Sequence, residues 1–443
     1  MKSLKGLIES ITLMKAEEQK AAYASFAMVF LLMAVYFVLR PVRDAMASDW
    51  SDTEVSFLWN IQFFLSTGIV LLYCFFISKV RFKYVVPVVY GLFAVSFLLF
   101  YVVTTHSTEP TWVEKGFYLW VTAFSLLNLS VFWSFMSETF SKNQGKRLFA
   151  FIGAGASAGA IVGPAVPTLF AETLGLSKLM LVAAVGLLAV IPIILYLTRY
   201  QHTQHKAAQK QSANHLVMQA QWWSGFRDVV KNPYLLAIAL FILLYVFINS
   251  FVYFQQKNML AVFSRSERAQ ILGGIDWLVN VLTFVFAFAI TSRMVQRLGM
   301  GFTLASLPLL VVMGFLILAI VPAVVVLLAL QTGRRVGNYA VTRPAREMLF
   351  TQVTPDERFK AKPVIDVVVY RGGDAVSGSL FAVLSDGIGL GLMGMSFIGA
   401  GIAACWAFVG LKLGRMYAFT QTTDEAVQTH QHPSIKPTEA IKP

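Results

Sequence analysis

The sequence predicts an all-α membrane protein with twelve transmembrane helices in two six-helix halves. Three observations carry that prediction: composition, the number of long apolar runs, and the distribution of positive charge between them. Of 443 residues, 57% are hydrophobic and 13% charged, with a mean hydropathy of +0.66. Soluble domains rarely exceed about half apolar residues. Runs such as "SFAMVFLLMAVYFVL" and "LLAIALFILLYVFINSFVYF" approach the roughly 20 residues needed to cross about 30 Å of hydrocarbon.

Taken in order, the polar opening "MKSLKGLIESITLMKAEEQK" (1–20) lacks the apolar core of a signal peptide and is expected to be a cytoplasmic segment. The first half, 21–198, holds helices at about 21–46, 54–77, 84–104, 113–138, 148–171 and 177–198. A loop at 199–232, rich in Gln, His, Lys and Ala, separates the halves and reads as partly amphipathic surface helix. Its histidines lack the carboxylate or Cys that would complete a metal site, so no metal is expected. The second half, 233–413, holds helices at about 233–258, 268–292, 300–321, 323–350, 362–385 and 388–413. The polar tail, 414–443, is expected to be disordered. Cys74 and Cys405 lie inside apolar runs and read as small hydrophobes.

The net charge of +13 could suggest nucleic acid, but its location argues otherwise. With a cytoplasmic N-terminus, the inside segments carry 24 Lys and Arg and the outside loops four: Lys115, Lys178, Arg265 and Arg268. Basic residues in short loops stay cytoplasmic, so both termini are expected inside, in a multi-pass inner-membrane protein with the bilayer and not nucleic acid as partner.

The halves echo each other. "AVYFVLRPVRDAM" aligns with "SFVYFQQKNML", matching Tyr36 with Tyr253 and Arg40 with Lys257, and the stretch after helix 4 resembles that after helix 10. A duplicated six-helix unit with nested inverted repeats is the major facilitator architecture, in which helices 1, 4, 7 and 10 line a central cavity. Seven of the eight basic residues inside the spans fall on those helices: Arg40, Arg43, Lys257, Arg334, Arg335, Arg343 and Arg346; the eighth is Arg371. Intramembrane charge costs about 2.5–3.5 kcal/mol per residue even on lenient scales, and such residues usually face a watery pathway.

At about 100° per residue, Tyr36, Arg40 and Arg43 share a face. So do Asn249, Tyr253, Gln256 and Lys257, and likewise Arg335, Tyr339, Thr342 and Arg346, with Asn338 at the edge and Arg334 pointing elsewhere. Guanidinium forks bind phosphate and carboxylate bidentately, so Arg40, Arg43, Lys257, Arg335 and Arg346 are the expected anion clamp, oriented by Tyr36, Tyr253, Tyr339 and Asn338. Asp44, Asp276, Glu347, Asp374 and Glu138 are expected as coupling or counter-ion residues; Arg40–Asp44 and Arg343–Glu347 are spaced i,i+4. Asp276 reads as a proton site or as a partner for Lys257. Pro41 and Pro344 kink their helices and, with Arg147 and Arg358, are candidate gating residues. Gly155, Gly159 and Gly163 are spaced for close helix packing. No phosphate loop, HExxH, GxSxG or CxxC motif occurs, so a non-enzymatic, cofactor-free monomer is expected.

The run "RPAREMLFTQVTPDERFKAKPVIDVVVYRGGD", Arg343 to Asp374, resembles the ATP/ADP translocase family, the nucleotide carriers of plastids and obligate intracellular bacteria, while "LRPVRDAM" and "GKRLFAFIGAGASAG" resemble shorter facilitator-type bacterial relatives. The resemblance implies exchange of phosphorylated anions, nucleotides foremost, by alternating access. Helix 1 departs from the established carriers in having Arg40 and Arg43 where they have a lysine in a different local sequence. The alternatives are proton-coupled transport of another organic anion, peptide or muropeptide, and a membrane assembly factor or receptor that transports nothing.

Overall fold

The computed structural model describes residues 15–79, 82–107, 111–208, 227, 229–287, 291–354, 357, 361–362 and 364–431. Among them every regular element is helical. The first four membrane helices are α1 (Ala16–Ala47), α2 (Asp52–Lys79), α3 (Phe82–His106) and α4 (Thr111–Thr139). The run Lys142–Ala208 breaks at Gly175, whose φ of 74° suits glycine, giving α5 (142–174) and α6 (176–208). Next come α7 (Pro233–Leu260) and α8 (Arg265–Ala287). Thr291–Ile320 breaks at Gly299 (φ 76°), so α9 is 300–320. The tenth helix, α10, joins Val324–Gly337 to Arg343–Leu349 through a π turn, Asn338–Thr342. The span α11, Val364–Gly387, has π turns at both ends, and α12 is Leu392–Gln431.

Three of these helices start on reciprocal capping boxes, which satisfy orphan amide groups at both partners. Ser51 and Glu54 open α2, Ser141 and Gln144 open α5, and Ser264 and Glu267 open α8. A fourth box, Thr354 with Glu357, precedes α11. The α2 and α8 boxes lie 213 residues apart, as do those before α5 and α11. That offset pairs Tyr36 with Asn249 and Arg40 with Tyr253. The Tyr36–Tyr253 and Arg40–Lys257 match expected from local sequence is therefore one helical turn out of register.

Helix ends also differ from expectation. The first predicted loop residues continue α6 to Ala208, and the tail expected to be disordered continues α12 to Gln431. Gln, Glu, Lys and Ala favour helix in water, so falling hydropathy marks the bilayer edge and not the end of the helix. Residues 432–443 lie outside the described set.

The glycine stripe on α5 packs on α1. A Cβ at Gly155, Gly159 or Gly163 would stand 2.6, 2.2 or 2.5 Å from the carbonyl oxygens of Phe26, Phe30 and Ala34. Across the halves, Asn280 Nδ2 of α8 donates to Ala160 O at 2.8 Å. That carbonyl is four residues before Pro164 and has lost its helical donor. Gly273 of α8 meets Thr168 and Pro164 just beyond. Outward faces carry exposed Leu92, Leu99, Leu169, Leu195, Leu309 and Phe397, the apolar coat a bilayer requires. Among the described residues nine helical runs, with α5 and α6 counted as one, are long and apolar enough to cross a membrane.

Candidate functional site: a basic cavity between the halves

Between the halves lies a cavity of about 260 Å³, walled by α1, α2, α4, α7, α10 and α11. We call the side bearing Lys15 and Gln431 the terminus face and the opposite one the distal face. Five guanidiniums reach the cavity: Arg40 and Arg43 from α1, Arg334 and Arg335 from α10, and Arg371 from α11. Tyr36, Tyr118, Tyr245, Tyr253, Tyr339 and Tyr370 supply aromatic hydroxyls, joined by Trp59 and Asn249. On α7, Tyr245, Asn249 and Tyr253 follow the four-residue spacing that keeps side chains on one helix face.

The charges alternate in a chain that crosses the halves. Arg43 grips Asp44 Oδ1 through Nε (2.9 Å) and Nη2 (2.7 Å), and its Nη1 donates to Thr122 at 3.1 Å. Its guanidinium lies 5.1 Å from the Tyr118 ring centre. Asp44 Oδ2 is 3.8 Å from Arg40 Nε, and Arg40 Nη1 is 3.3 Å from Asp276 Oδ1 on α8. The same Asp276 oxygen accepts from Arg335 Nη1. Two carboxylates thus stand between three guanidiniums, and Asp276 joins the first half to the second. Hydroxyls tie the middle: Trp59 Nε1 donates to Tyr118 OH at 2.7 Å, the Tyr118 and Tyr253 hydroxyls are 3.1 Å apart, and Tyr253 reaches Asp44 at 3.5 Å.

Arg334 stands apart from this chain. It is 2% exposed, and no carboxylate among the described residues pairs with it. Its Nε and Nη2 share one neutral acceptor, Gln331 Oε1, at 3.2 and 2.6 Å. The guanidinium lies 6.0 Å from the Tyr245 ring centre, and no group among the described residues accepts from Nη1. Sequence periodicity turned Arg334 away from the face of Arg335 and Arg346; the structure puts Arg334 and Arg335 both on the cavity. The π turn explains part of the difference. Arg343 N–H donates to Asn338 O, five residues back, and the extra residue rotates everything after it by about 100°.

Arg346 is accordingly not among the lining residues. It bonds Glu347 at 3.2 Å and lies 3.8 Å from Asp366, while Glu347 also takes Lys362 at 2.5 Å. Glu347 therefore pairs with Arg346 and Lys362 and not with Arg343. Asn338 begins the π turn and is not on the cavity wall. Glu138 is exposed near the terminus face. Asp374 lines the cavity, 3.6 Å from Arg371. Pro41 lies within α1, and Pro344 follows the π turn. Arg147 pairs with Glu18 of its own half at 2.9 Å, and Arg358 lies outside the described residues.

Lys257 does not reach the cavity either. Its Nζ is 2.9 Å from Asp52 Oδ1 and donates to Trp50 O at 2.6 Å, so Asp52 and not Asp276 is its partner. Asn258 and Ser385 complete Asp52 at 2.9 and 2.6 Å. Around this buried pair, Arg265 takes Glu114 bidentately at 2.6 and 3.1 Å and Asp49 at 2.5 Å, and Arg268 takes Asp49 at 2.5 Å. Thr53 donates twice to Asp386 at 2.8 Å. In each of these pairs between the halves, Lys257–Asp52, Arg265–Glu114, Arg265–Asp49 and Arg268–Asp49, the first half supplies the acid and the second half the base. The halves are clasped at the distal face, whereas Arg147–Glu18 and Lys362–Glu347 at the terminus face stay within one half.

A family model, the Major Facilitator Superfamily, matches residues 25–358. The chain belongs to the Major Facilitator Superfamily. Among solved facilitator-type structures it is similar to the nucleoside transporter NupG, as its D323A mutant (15% identity, TM-score 0.66, covering 89% of this chain and 99% of that one). It is also similar to a POT family transporter in complex with 5-aminolevulinic acid (12%, TM-score 0.62, 90% and 96%). A third is a bacterial homologue of the human lysosomal transporter Spinster, inward-facing and unoccupied (13%, TM-score 0.58, 93% and 98%). No curated protein matches the chain. At these identities the superfamily likeness is one of fold, and the twelve helices in two halves are its architecture.

Proposed function

We propose that this facilitator is a secondary active transporter that exchanges phosphorylated organic anions, nucleotides foremost, across the inner membrane by alternating access. The observation that carries the reading is the cavity itself: five guanidiniums at the interface of the halves, one of them without a counter-ion among the described residues. A buried charge without a partner is costly, and a cavity that keeps one is suited to an anion that arrives and leaves. Tyrosine rings on the same walls offer flat apolar faces for a base or sugar. With basic loops held in the cytoplasm, the terminus face is cytoplasmic and the distal clasp closes the outside. NupG, whose fold this chain shares, is a nucleoside transporter; the reading extends that chemistry to this cavity, and the "RPARE…VYRGGD" resemblance adds the phosphate.

The reading is tested by thermal unfolding of purified protein with nucleotides, sugar phosphates, inorganic phosphate and a peptide. A ligand that binds only the folded state stabilises by about 2.7 kcal/mol at a hundred times its Kd. Selective stabilisation by phosphorylated compounds is expected; stabilisation by the peptide alone would reject the reading.

A further inference from the structure

We infer that the carried group is a dianion and that Arg334 is the residue that binds its second charge. The inference rests on the anion-carrier reading above. The cavity and its chain of ion pairs hold Arg40, Arg43, Arg334, Arg335 and Arg371 against Asp44, Asp276 and Asp374. Each of these carboxylates contacts a guanidinium, at 2.7 Å for Asp44, 3.6 Å for Asp374 and closest for Asp276. Five cations against three anions leave two positive charges.

The surplus has a location. In the run from Arg43 through Asp44, Arg40 and Asp276 to Arg335, three cations share two acids, leaving one charge spread along it. The second surplus charge sits wholly on Arg334, whose fork is held by Gln331 and whose Nη1 has no acceptor among the described residues. Arg334 and Arg335 are sequence neighbours that line the same cavity. A compact group with several oxygens can take both at once, as a phosphomonoester does. A monoanion leaves one buried cation uncompensated, whereas a dianion leaves none.

Matched ligands separate valence from scaffold. At pH 8, AMP is a dianion, because a phosphomonoester loses its second proton near pH 6. Cyclic AMP is a monoanion and adenosine is neutral, all with one base and one ribose. Succinate and its monomethyl ester give the same step for carboxylates. Binding is measured by calorimetry on full-length protein in detergent. AMP is expected to bind at least about tenfold tighter than cyclic AMP, the size of one charge-assisted hydrogen bond. Arg334→Gln should shrink that ratio to below about threefold.

A second readout guards against a merely structural arginine. Because Arg334 is an uncompensated buried charge, Arg334→Gln should raise the melting temperature of the ligand-free protein; a structural arginine would lower it. Equal affinity for AMP and cyclic AMP overturns the dianion inference while leaving an anion carrier standing. A preference for succinate over its monoester, with no AMP binding, supports the dianion and rejects the nucleotide. No binding by any anion rejects the carrier reading itself. An unchanged AMP to cyclic AMP ratio in Arg334→Gln removes Arg334 from the site.

Discussion

Replacing Lys257 by Ala should open the distal face. Lys257 and Asp52 are 5% and 3% exposed, and their pair joins α7 of one half to the start of α2 in the other. Removing the ammonium strands a buried carboxylate that retains only Asn258 and Ser385 as donors, and breaking a buried pair costs about 3–5 kcal/mol. That cost falls on the clasped state alone, because separated halves would hydrate both groups. At about 1.4 kcal/mol per tenfold, the clasped population should fall by at least about a hundredfold relative to the opened one. Spin labels at Trp112 and Val262, 80% and 82% exposed on distal turns of opposite halves, report the separation by double electron–electron resonance in a background lacking Cys74 and Cys405. A second, longer distance population should appear in Lys257→Ala. It should shrink again in the apolar double variant Asp52→Leu with Lys257→Met, since well-packed apolar replacements of a buried pair are often neutral or better. An unchanged distance distribution in Lys257→Ala would refute the clasp.

Three further outcomes follow from the same geometry. Asp276→Ala removes the acid shared by Arg40 and Arg335 and should destabilise the protein by about 3–5 kcal/mol in thermal unfolding. Asn280→Ala strands the Ala160 carbonyl that Pro164 has freed, and should cost about 1–3 kcal/mol by the same measurement. Gly159→Ala puts a methyl 2.2 Å from Phe30 O and should sharply lower the yield of folded protein; Gly153→Ala, whose nearest neighbour is a Trp133 ring atom at 3.9 Å, should not.

How far the sequence could be read depends on what each feature obeys. Hydropathy is local and additive, so the twelve spans and the two halves were legible from it, and helical periodicity on a cavity helix made the position of Arg40, Arg43 and Tyr36 legible too. The face of α10 was not. A single π turn at Asn338–Thr342 breaks the constant rotation that periodicity assumes and turns Arg346, which follows it, away from the expected face; Arg334, which precedes it, reaches the cavity beside Arg335 because the wall is wider than one stripe. Lys257 misled for another reason: it shares a helix face with Tyr253, but depth along the helix puts it against Asp52, and depth needs the partner helix to be known. Tyr118, Thr122, Gln331 and Tyr370 were passed over because uncharged polar residues are common in membrane helices; only their convergence on one cavity singles them out. The four capping boxes were present as S-x-x-E, S-x-x-Q and T-x-x-E, and their equal 213-residue spacing would have given the true register of the repeat.

The most direct test of the anion carrier is exchange in proteoliposomes. Protein reconstituted with ADP inside should take up labelled ATP from outside, at a rate that collapses when the vesicles are empty and falls at least about tenfold in Arg334→Gln. Uptake that is indifferent to internal nucleotide would contradict exchange, and absence of uptake for every phosphorylated anion by protein that remains folded would contradict the carrier itself.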